Sequence, residues 1–204
     1  MAPFGLSALN SLLGRGVNNT PWQPPEASWS RRFGLGWESP YTVRYASNLD
    51  DGPDHGMPLG GFGAGCLGRS PSGAFNLWNL DGGEHWFGSI PDCQFALWEQ
   101  QGEDVRAHAL ATAPDRDDTD PSGGTPLSAW QWYPASTQGR STGTYAARYP
   151  LSWTHHEDVY RAGVLCEAFS PILPGDYQRT SYPVAVFRWQ FSNPTDQPLE
   201  LSLM

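Results

Sequence analysis

Short segments in which apolar and polar residues tend to alternate are the feature that most constrains the fold of this chain. They lie at residues 41–46, 74–80, 93–99, 104–112, 128–133, 164–169, 184–191 and 199–204. A period of two places successive side chains on opposite faces of a strand, and no long segment has the 3.6-residue period of an amphipathic helix. The 23 glycines and 19 prolines among 204 residues favour turns between such strands. The pattern predicts an all-β fold.

The clearest strand pattern is VAVFRWQF at residues 184–191. Its apolar face carries Ala185, Phe187, Trp189 and Phe191. A turn cluster, SNPTDQP, follows at 192–198, and LELSLM at 199–204 again places its leucines on one face. We therefore expect these two strands to form a hairpin of a β-sandwich.

The last strand pattern continues to Met204 without a turn or a polar tail. We therefore expect a sandwich that is incomplete at its C-terminal end, in a chain that is the N-terminal piece of a longer protein. Residues 1–40 are rich in proline and tryptophan and are predicted to be an extended coil that lies on the core. The sandwich domain is predicted to occupy residues 41–204.

Charge and composition exclude several classes of protein. Twelve basic and 21 acidic residues give a net charge of −9, so no basic patch is available to bind nucleic acid. No apolar run approaches the roughly 18 residues that span a bilayer, and no secretory signal is evident. Three widely spaced cysteines form neither a zinc motif nor a disulfide framework. We expect a cytoplasmic protein, and association with a membrane surface stays open.

Residues 63–68 match the dinucleotide-binding pattern G-x-G-x-x-G. That pattern requires a strand before it and a helix after it. The preceding segment is rich in turn residues, and Pro71 and Gly73 would break a following helix, so we reject nucleotide binding. Glycines at this density predict a tight segment with positive φ angles or close backbone packing. The residues concerned are Gly60, Gly61, Gly63, Gly65 and Gly68, followed by Arg69.

Glu84, His85 and Trp86 form the most site-like cluster in the sequence. A carboxylate, an imidazole and an indole face can hydrogen-bond to a sugar and stack on it. A loop with a buried tryptophan anchor is the alternative. Trp130 and Trp132 share a face of a predicted strand, where they either form a second stacking platform or fill the core.

Two clusters resemble metal sites, and we expect neither to bind a metal. Asp115, Asp117, Asp118 and Asp120 lie in a polar loop at 113–126, but their spacing is not that of an EF-hand. His155 and His156 are followed by two acidic residues, but adjacent strand residues point to opposite faces and do not converge on one ion.

A series of motifs occurs in a fixed order along the chain. MPLGGFGAGCLGR at 57–69 is followed by GAFNLW at 73–78 and WQW at 130–132. Later come Tyr149-Pro150 with Trp153, AFSPILP at 168–174, and YPVAVF at 182–187 leading to Asn193. In this order the motifs resemble the N-terminal domain of glycoside hydrolase family 116, the family of bile-acid β-glucosidase and non-lysosomal glucosylceramidase. The resemblance covers roughly residues 41–204.

The resemblance implies a β-sandwich packed on a C-terminal (α/α)6 barrel. That barrel carries the two catalytic carboxylates of a retaining β-glucosidase or glucosylceramidase, which uses no cofactor. No part of the barrel matches these 204 residues, so we assign no catalytic residue and expect this segment alone to be inactive. The implied partner is the barrel of the same protein, through which a β-glucoside or glucosylceramide substrate would bind. The glycine-rich segment is assigned a structural or interdomain role.

Two other interpretations stay open. A free-standing carbohydrate-binding β-sandwich would stack sugars on exposed tryptophans such as Trp86, or Trp130 with Trp132. A truncated product without independent function would be poorly soluble. A retaining glycosidase needs two carboxyl groups about 5 to 5.5 Å apart. No acidic residues here have a spacing that pairs them, so we assign no catalytic residue.

Overall fold

The structure is a computed structural model that describes residues 22–33, 56–81, 85–88, 90, 93–113 and 131–204. Within these ranges the elements are fifteen strands and one short helix. In chain order they are β1 (Trp29–Arg32), β2 (Met57–Leu59), β3 (Cys66–Arg69), β4 (Phe75–Asn79), β5 (Trp86–Phe87), β6 (Ala96–Gln101), β7 (Asp104–Thr112), β8 (Gln131–Tyr133), β9 (Ser136–Thr137), β10 (Arg140–Ser141), β11 (Gly143–Arg148), β12 (Leu151–His156), β13 (Gly163–Phe169), α1 (Tyr177–Thr180), β14 (Val186–Ser192) and β15 (Glu200–Leu203). The predicted all-β class is confirmed.

The described strands form one five-stranded sheet, two four-stranded sheets and one two-stranded ribbon. The five-stranded sheet and the four-stranded sheet that contains β6 and β7 have the most residues and are called the two larger sheets. The five-stranded sheet has the order β1-β11-β12-β13-β14 and is antiparallel throughout. A four-stranded sheet has the order β15-β6-β7-β8, in which only β7 and β8 run parallel. A second four-stranded sheet, β2-β3-β4-β5, is an antiparallel meander that contains the glycine-rich segment. β9 and β10 form a small ribbon.

Side chains from the two larger sheets meet in one buried cluster. It combines Leu97 of β6, Leu110 of β7 and Tyr133 of β8 with Tyr145 of β11 and Val164 of β13. Burial of this apolar surface is the main force that holds the sheets together. Shared burial by two sheets is what a sandwich requires, and the sandwich arrangement itself stays a prediction.

The predicted hairpin between residues 184–191 and 199–204 is wrong. β14 pairs with β13, whereas β15 pairs with β6, so the two strands belong to different sheets. The predicted turn between the two strands is present. Within it, Asn193 Oδ1 accepts a hydrogen bond from the Thr195 N–H at 2.9 Å. The side chain of Gln101, at the end of β6, donates a hydrogen bond to Thr195 Oγ1 at 2.9 Å. The turn carries the chain across from one sheet to the other. Alternation defines the two faces of a strand but does not specify its neighbour.

Residues 29–32, predicted to be coil, form β1 at the edge of the five-stranded sheet. β1 pairs with β11 over four residues, and Phe33 directly after it enters the core cluster. The proposed domain boundary at residue 41 stays a prediction. The predicted strand at 41–46 and the acidic loop residues Asp115, Asp117, Asp118 and Asp120 lie outside the described residues.

The remaining predicted strands are present at nearly the expected positions. The segment 104–112 coincides with β7, and 164–169 lies within β13. In β14 the predicted apolar face is confirmed, because Phe187 and Trp189 both contact the ring of Phe95, at centroid distances of 5.0 and 5.1 Å. Within the described ranges, none of the helical structure is both long and apolar enough to cross a bilayer.

Candidate functional site

An open pocket of about 230 Å³ lies beside the loop that joins β2 to β3. The rings of Phe62 and Tyr149, which are 64% and 61% exposed, border it. Its walls are backbone and apolar side chains rather than charged groups, so it suits an apolar contact better than an ionic ligand. The lining consists of Pro58, Gly60, Gly61, Phe62, Gly63, Cys66, Tyr149 and Ile172.

The loop that forms the pocket depends on glycine at two positions. Gly65 has φ +81°, and a Cβ there would lie 2.3 Å from the carbonyl oxygen of Asn79. At Gly61 a Cβ would lie 2.4 and 2.5 Å from the backbone oxygens of Tyr182 and Ser181. The glycines therefore let the loop lie directly on β4 on one side and on the segment after α1 on the other.

Hydrogen bonds fasten the loop to the segment that follows β13. The Gly60 N–H donates to Ser170 Oγ at 2.7 Å, and the Phe62 N–H donates to the Thr180 carbonyl at 2.9 Å. The Ala64 N–H closes a turn onto the Gly61 carbonyl at 3.1 Å. These bonds satisfy loop backbone groups while the ring of Phe62 stays in solvent.

The segment 63–68 does not have the context of a nucleotide site, as expected. β3 begins at Cys66 and turns back into β4, so no helix follows the glycines. Gly63 borders the pocket and has φ +74°, whereas Gly68 is buried within β3 next to a register shift at Arg69. An interdomain role for this segment stays a prediction.

Arg69, at the end of this segment, is buried where three sheets meet. Its guanidinium donates to Thr154 Oγ1 of β12 at 2.9 Å and to the Leu110 carbonyl of β7 at 3.3 Å. Its Nε donates to the Gly73 carbonyl at 3.0 Å. Burial lowers the pKa of the guanidinium, because a charged group is costly to desolvate. The five donors of arginine suit this role, since they reach several acceptors at once.

The rings of Phe95 and Trp189 complete the surroundings of Arg69. Their centroids lie 5.7 and 5.6 Å from the guanidinium carbon, within range of cation–π attraction. Hydrogen bonds and aromatic faces thus hold this buried cation in the interior. Arg69 therefore fixes β3, and with it the glycine-rich loop, to both larger sheets.

The predicted sugar-binding cluster is only partly visible. Glu84 lies outside the described residues, and His85 is exposed. Trp86 begins β5, half-buried, with its ring 6.3 Å from that of Trp78. Neither His85 nor Trp86 lines the pocket at the glycine-rich loop. Their role in binding substrate stays a prediction.

The two histidines at 155 and 156 point to opposite faces, as alternation predicted. His155 lies 3.1 Å from Glu157 Oε1 and 5.1 Å from the ring of Trp22. His156 is buried in the core, 4.9 Å from the ring of Tyr133. Among the residues that the structure describes, no three His, Cys, Asp or Glu side chains are grouped as a metal site would require.

Of the two residues of the predicted tryptophan platform, Trp130 lies outside the described residues, and the platform stays a prediction. Trp132 is half-buried in β8. The next residue, Tyr133, fills the core, and its hydroxyl donates to the carbonyls of Thr142 and Glu157 at 3.0 Å. Alternation therefore turns Trp132 away from the side of β8 on which Tyr133 is buried.

One pair of carboxylates shares an arginine, but it is not arranged for acid–base chemistry. Glu99 is fully buried and accepts hydrogen bonds from the N–H groups of Arg161 and Ala162 at 2.9 and 2.8 Å. The Arg161 guanidinium bonds Asp104 and lies 3.9 Å from Glu99. A hydrogen bond from Arg161 lowers the pKa of Asp104, whereas the general acid of a glycosidase needs a raised pKa.

The pKa values of Glu157 and Asp176 are also lowered. Partial burial would raise the pKa of Glu157, but hydrogen bonds from His155 and Arg32 outweigh it and hold the pKa at about 2. A hydrogen bond from the Arg179 N–H lowers the pKa of Asp176, the N-cap of α1. These groups act as ion-pair and capping partners.

Sequence reasoning found the glycines but missed the aromatic border of the pocket. Tyr149 and Ile172 lie more than 80 residues from the loop in the chain, so no local spacing could have joined them to it. Phe62 is a single apolar residue among glycines, and its exposure follows from the loop bonds of its backbone.

A family model described as beta-glucosidase 2, glycosyl-hydrolase family 116 N-terminal, matches residues 56–204.

Proposed function

Because the chain belongs to glycosyl-hydrolase family 116, whose N-terminal domain it carries at residues 56–204, we propose that it is the non-catalytic β-domain of a retaining β-glucosidase or glucosylceramidase. Its role is to support a separate (α/α)6 barrel that holds the two catalytic carboxylates. The family match carries this proposal. The lowered pKa values of Asp104, Glu157 and Asp176 support it, since none of these groups is prepared to donate a proton at neutral pH.

The pocket at the glycine-rich loop is the face that we assign to the barrel. Exposed aromatic rings around a concave, uncharged surface are typical of a surface that a protein partner covers. Phe62 and Tyr149 supply these rings, and the bonds of the loop to Ser170 and Thr180 hold Phe62 in place before any partner binds. A preorganised face loses less entropy on docking.

The cytoplasm is the compartment that we assign to the protein. No disulfide joins Cys66, Cys93 and Cys166, all of which lie in described parts of the chain. A reducing compartment keeps thiols in that state. The glucoside and its aglycone would be selected by the barrel.

Hydrolysis of an aryl β-glucoside tests the proposal. We would compare the 204-residue chain with the product of the complete coding sequence that contains it. We expect hydrolysis, with retention at the anomeric carbon, only from the complete product. Turnover by the 204-residue chain would show that it is itself catalytic, and a complete product without β-glucosidase activity would refute the assignment.

A further inference from the structure

A row of three polar residues crosses the five-stranded sheet on the face opposite to the core cluster. The strand register pairs Arg32 of β1 with Thr144 of β11, and Thr144 with His155 of β12. Directly paired residues on neighbouring strands place their side chains side by side on the same face. His156, the next residue along β12, is buried in the core, so alternation turns this row away from the core.

Glu157, immediately after β12, links the three residues of the row. Its Oε1 accepts hydrogen bonds from Arg32 Nη1 at 2.9 Å, Thr144 Oγ1 at 3.1 Å and His155 Nδ1 at 3.1 Å. The backbone of Glu157 is fixed as well, because its carbonyl accepts a hydrogen bond from the Tyr133 hydroxyl at 3.0 Å. The carboxylate is therefore held in one position before any ligand binds, which lowers the entropic cost of binding.

Two hydrogen-bond acceptors of this cluster remain for a ligand. Among the described residues, all three side-chain bonds to the Glu157 carboxylate go to Oε1, and none goes to Oε2 or to His155 Nε2. Because His155 Nδ1 donates to the carboxylate, the neutral ring presents Nε2 as an acceptor. The side chains of Glu157 and His155 are 24% and 20% exposed, so a ligand in solvent can reach them.

The indole of Trp22 supplies an apolar face at the same place. Its ring lies 5.1 Å from that of His155 at an angle of 40°, and the residue is partly exposed. An indole stacks on the C–H face of a sugar ring while the sugar hydroxyls reach neighbouring polar groups. The sequence offered a carboxylate, an imidazole and an indole at residues 84–86, and folding brings the same three groups together here.

The charges of the cluster select a neutral ligand. Partial burial raises the pKa of Glu157, but hydrogen bonds from His155 and Arg32 outweigh it and hold the pKa at about 2, so the group is an anion at neutral pH. The Arg32 guanidinium, 2.9 Å from it, is 44% exposed. An anionic ligand would meet the carboxylate and a cationic ligand the guanidinium, and like charges repel. Hydroxyl groups are neutral donors that suit the two remaining acceptors.

We propose that Trp22, His155 and Glu157 form a binding site for a pyranose sugar on the face of the five-stranded sheet opposite to the core cluster. The sugar ring stacks on the indole, and two of its hydroxyls donate to Glu157 Oε2 and His155 Nε2. Arg32 and Thr144 hold the carboxylate in place. The site shares no residue with the pocket at the glycine-rich loop. It does not rest on the proposed glucosidase role, because it requires binding and no turnover.

Isothermal titration calorimetry of the 204-residue chain tests the site. The ligands are the methyl β-glycosides of glucose, galactose, mannose and xylose, titrated into the tens of millimolar. We expect at least one of them to bind with a dissociation constant in the millimolar range, because a single ring makes a small contact. Glycerol, which has hydroxyls but no ring to stack, should bind at least about tenfold more weakly. Binding of none of the glycosides, or equal binding of glycerol, would overturn the proposal.

Substitutions of the ring and of the acceptor test the residues. Trp22→Ala should weaken binding of the preferred glycoside by about five- to tenfold, whereas Trp22→Tyr keeps an aromatic face and should stay within about threefold of the wild type. His155→Phe keeps a ring against the indole but removes the acceptor, and should weaken binding by about fivefold. Tyr177→Ala is the matched control, since it removes a ring that is 78% exposed elsewhere, and it should leave binding unchanged.

The substituted side chains are all partly exposed, so the variants should fold, and urea unfolding checks this. Unchanged binding by either Trp22→Ala or His155→Phe would overturn the proposal. A loss of binding with Tyr177→Ala as large as that with Trp22→Ala would overturn it as well.

Discussion

His156 lies in the core among the rings of Phe33, Tyr133 and Trp189, at centroid distances of 5.7, 4.9 and 6.1 Å. No described residue makes a well-aligned hydrogen bond to either nitrogen of its ring. Burial, and then the charge of Arg69, lower the pKa of His156 to about 3. The folded protein therefore keeps this imidazole neutral under conditions in which an unfolded chain would protonate it.

The buried imidazole predicts loss of stability in acid. Below the unfolded pKa of about 6.5, the unfolded chain binds a proton that the folded chain excludes. The free energy of unfolding should then fall by about 1.4 kcal/mol per pH unit as the pH drops towards 3, and His156→Phe should remove this contribution. Urea unfolding at a series of pH values measures both proteins, with His85→Gln as an exposed control. Parallel stability curves for the wild type and His156→Phe would contradict the prediction.

Gly63 and Gly65 allow backbone strain to be separated from steric conflict. Both have positive φ, +74° and +81°, but a Cβ at Gly63 meets open space, whereas at Gly65 it meets the Asn79 carbonyl at 2.3 Å. Gly65→Ala should therefore destabilise the chain by roughly 2–4 kcal/mol, against about 1 kcal/mol for Gly63→Ala. Urea unfolding followed by tryptophan fluorescence gives both values. Equal losses of unfolding free energy in Gly63→Ala and Gly65→Ala would mean that the backbone at Gly65 does not pack tightly against β4.

At the scale of elements, β1 shows how a segment with a weak strand signal becomes part of the fold. Its pairing with β11 brings Phe33 into the core, where its ring lies 6.0 Å from that of Tyr133. A Cβ on Gly143 would lie 2.4 Å from the Phe33 ring, so the glycine makes room for it. β1 lies before residues 56–204, which the family model matches, yet it is an edge strand of the five-stranded sheet.

Truncating Phe33 should therefore cost far more than changing β1 itself. Phe33→Ala removes a ring that is 4% exposed, and we expect a loss of about 3–5 kcal/mol in the free energy of unfolding. Ser30 of β1 is exposed, so Ser30→Ala should change the free energy of unfolding by less than about 0.5 kcal/mol. Thermal and urea unfolding measure both variants. A loss below about 1 kcal/mol for Phe33→Ala would show that the segment is dispensable.

The sequence predicted seven of the fifteen described strands but not which strands are neighbours, and it missed β11 and β12 within the five-stranded sheet. Alternation located β7 and the apolar face of β14, because the period of two is a local property of the chain. The same alternation gave no information on whether β15 joins β14 or β6. The pairing of β15 depends on which apolar faces the whole chain can bury together. Leu201 of β15, for example, packs against the core cluster.

At the scale of the whole molecule, the pocket and the core are linked through Arg69. The residue stands in the strand directly after the glycine-rich loop and bonds to β7 and β12. The sequence identified Arg69 as part of the segment, but nothing local predicted a buried cation held by carbonyls, a hydroxyl and two aromatic rings. Such a site exists only where separate sheets converge.

The docking face predicts different effects in two forms of the protein. Phe62→Ser should leave the stability of the 204-residue chain unchanged within about 0.5 kcal/mol, because the ring is exposed. In the complete protein the same change should lower the melting temperature by several degrees, because the ring would then be covered by the barrel. Val105→Ser, another exposed apolar residue in β7, is the control. Equal shifts for both variants in the complete protein would refute this face as the interface.

The amino-acid sequence alone was enough to predict the all-β class, seven of the fifteen described strands and the tight glycine-rich loop. These follow from side-chain period and backbone sterics, which act over a few residues. Long-range packing places β15 in the other sheet, β1 at an edge of the five-stranded sheet, and Tyr149 and Ile172 beside the loop of Phe62. Those outcomes depend on burial of apolar surface by residues far apart in the chain, and no local pattern encodes which distant faces will meet.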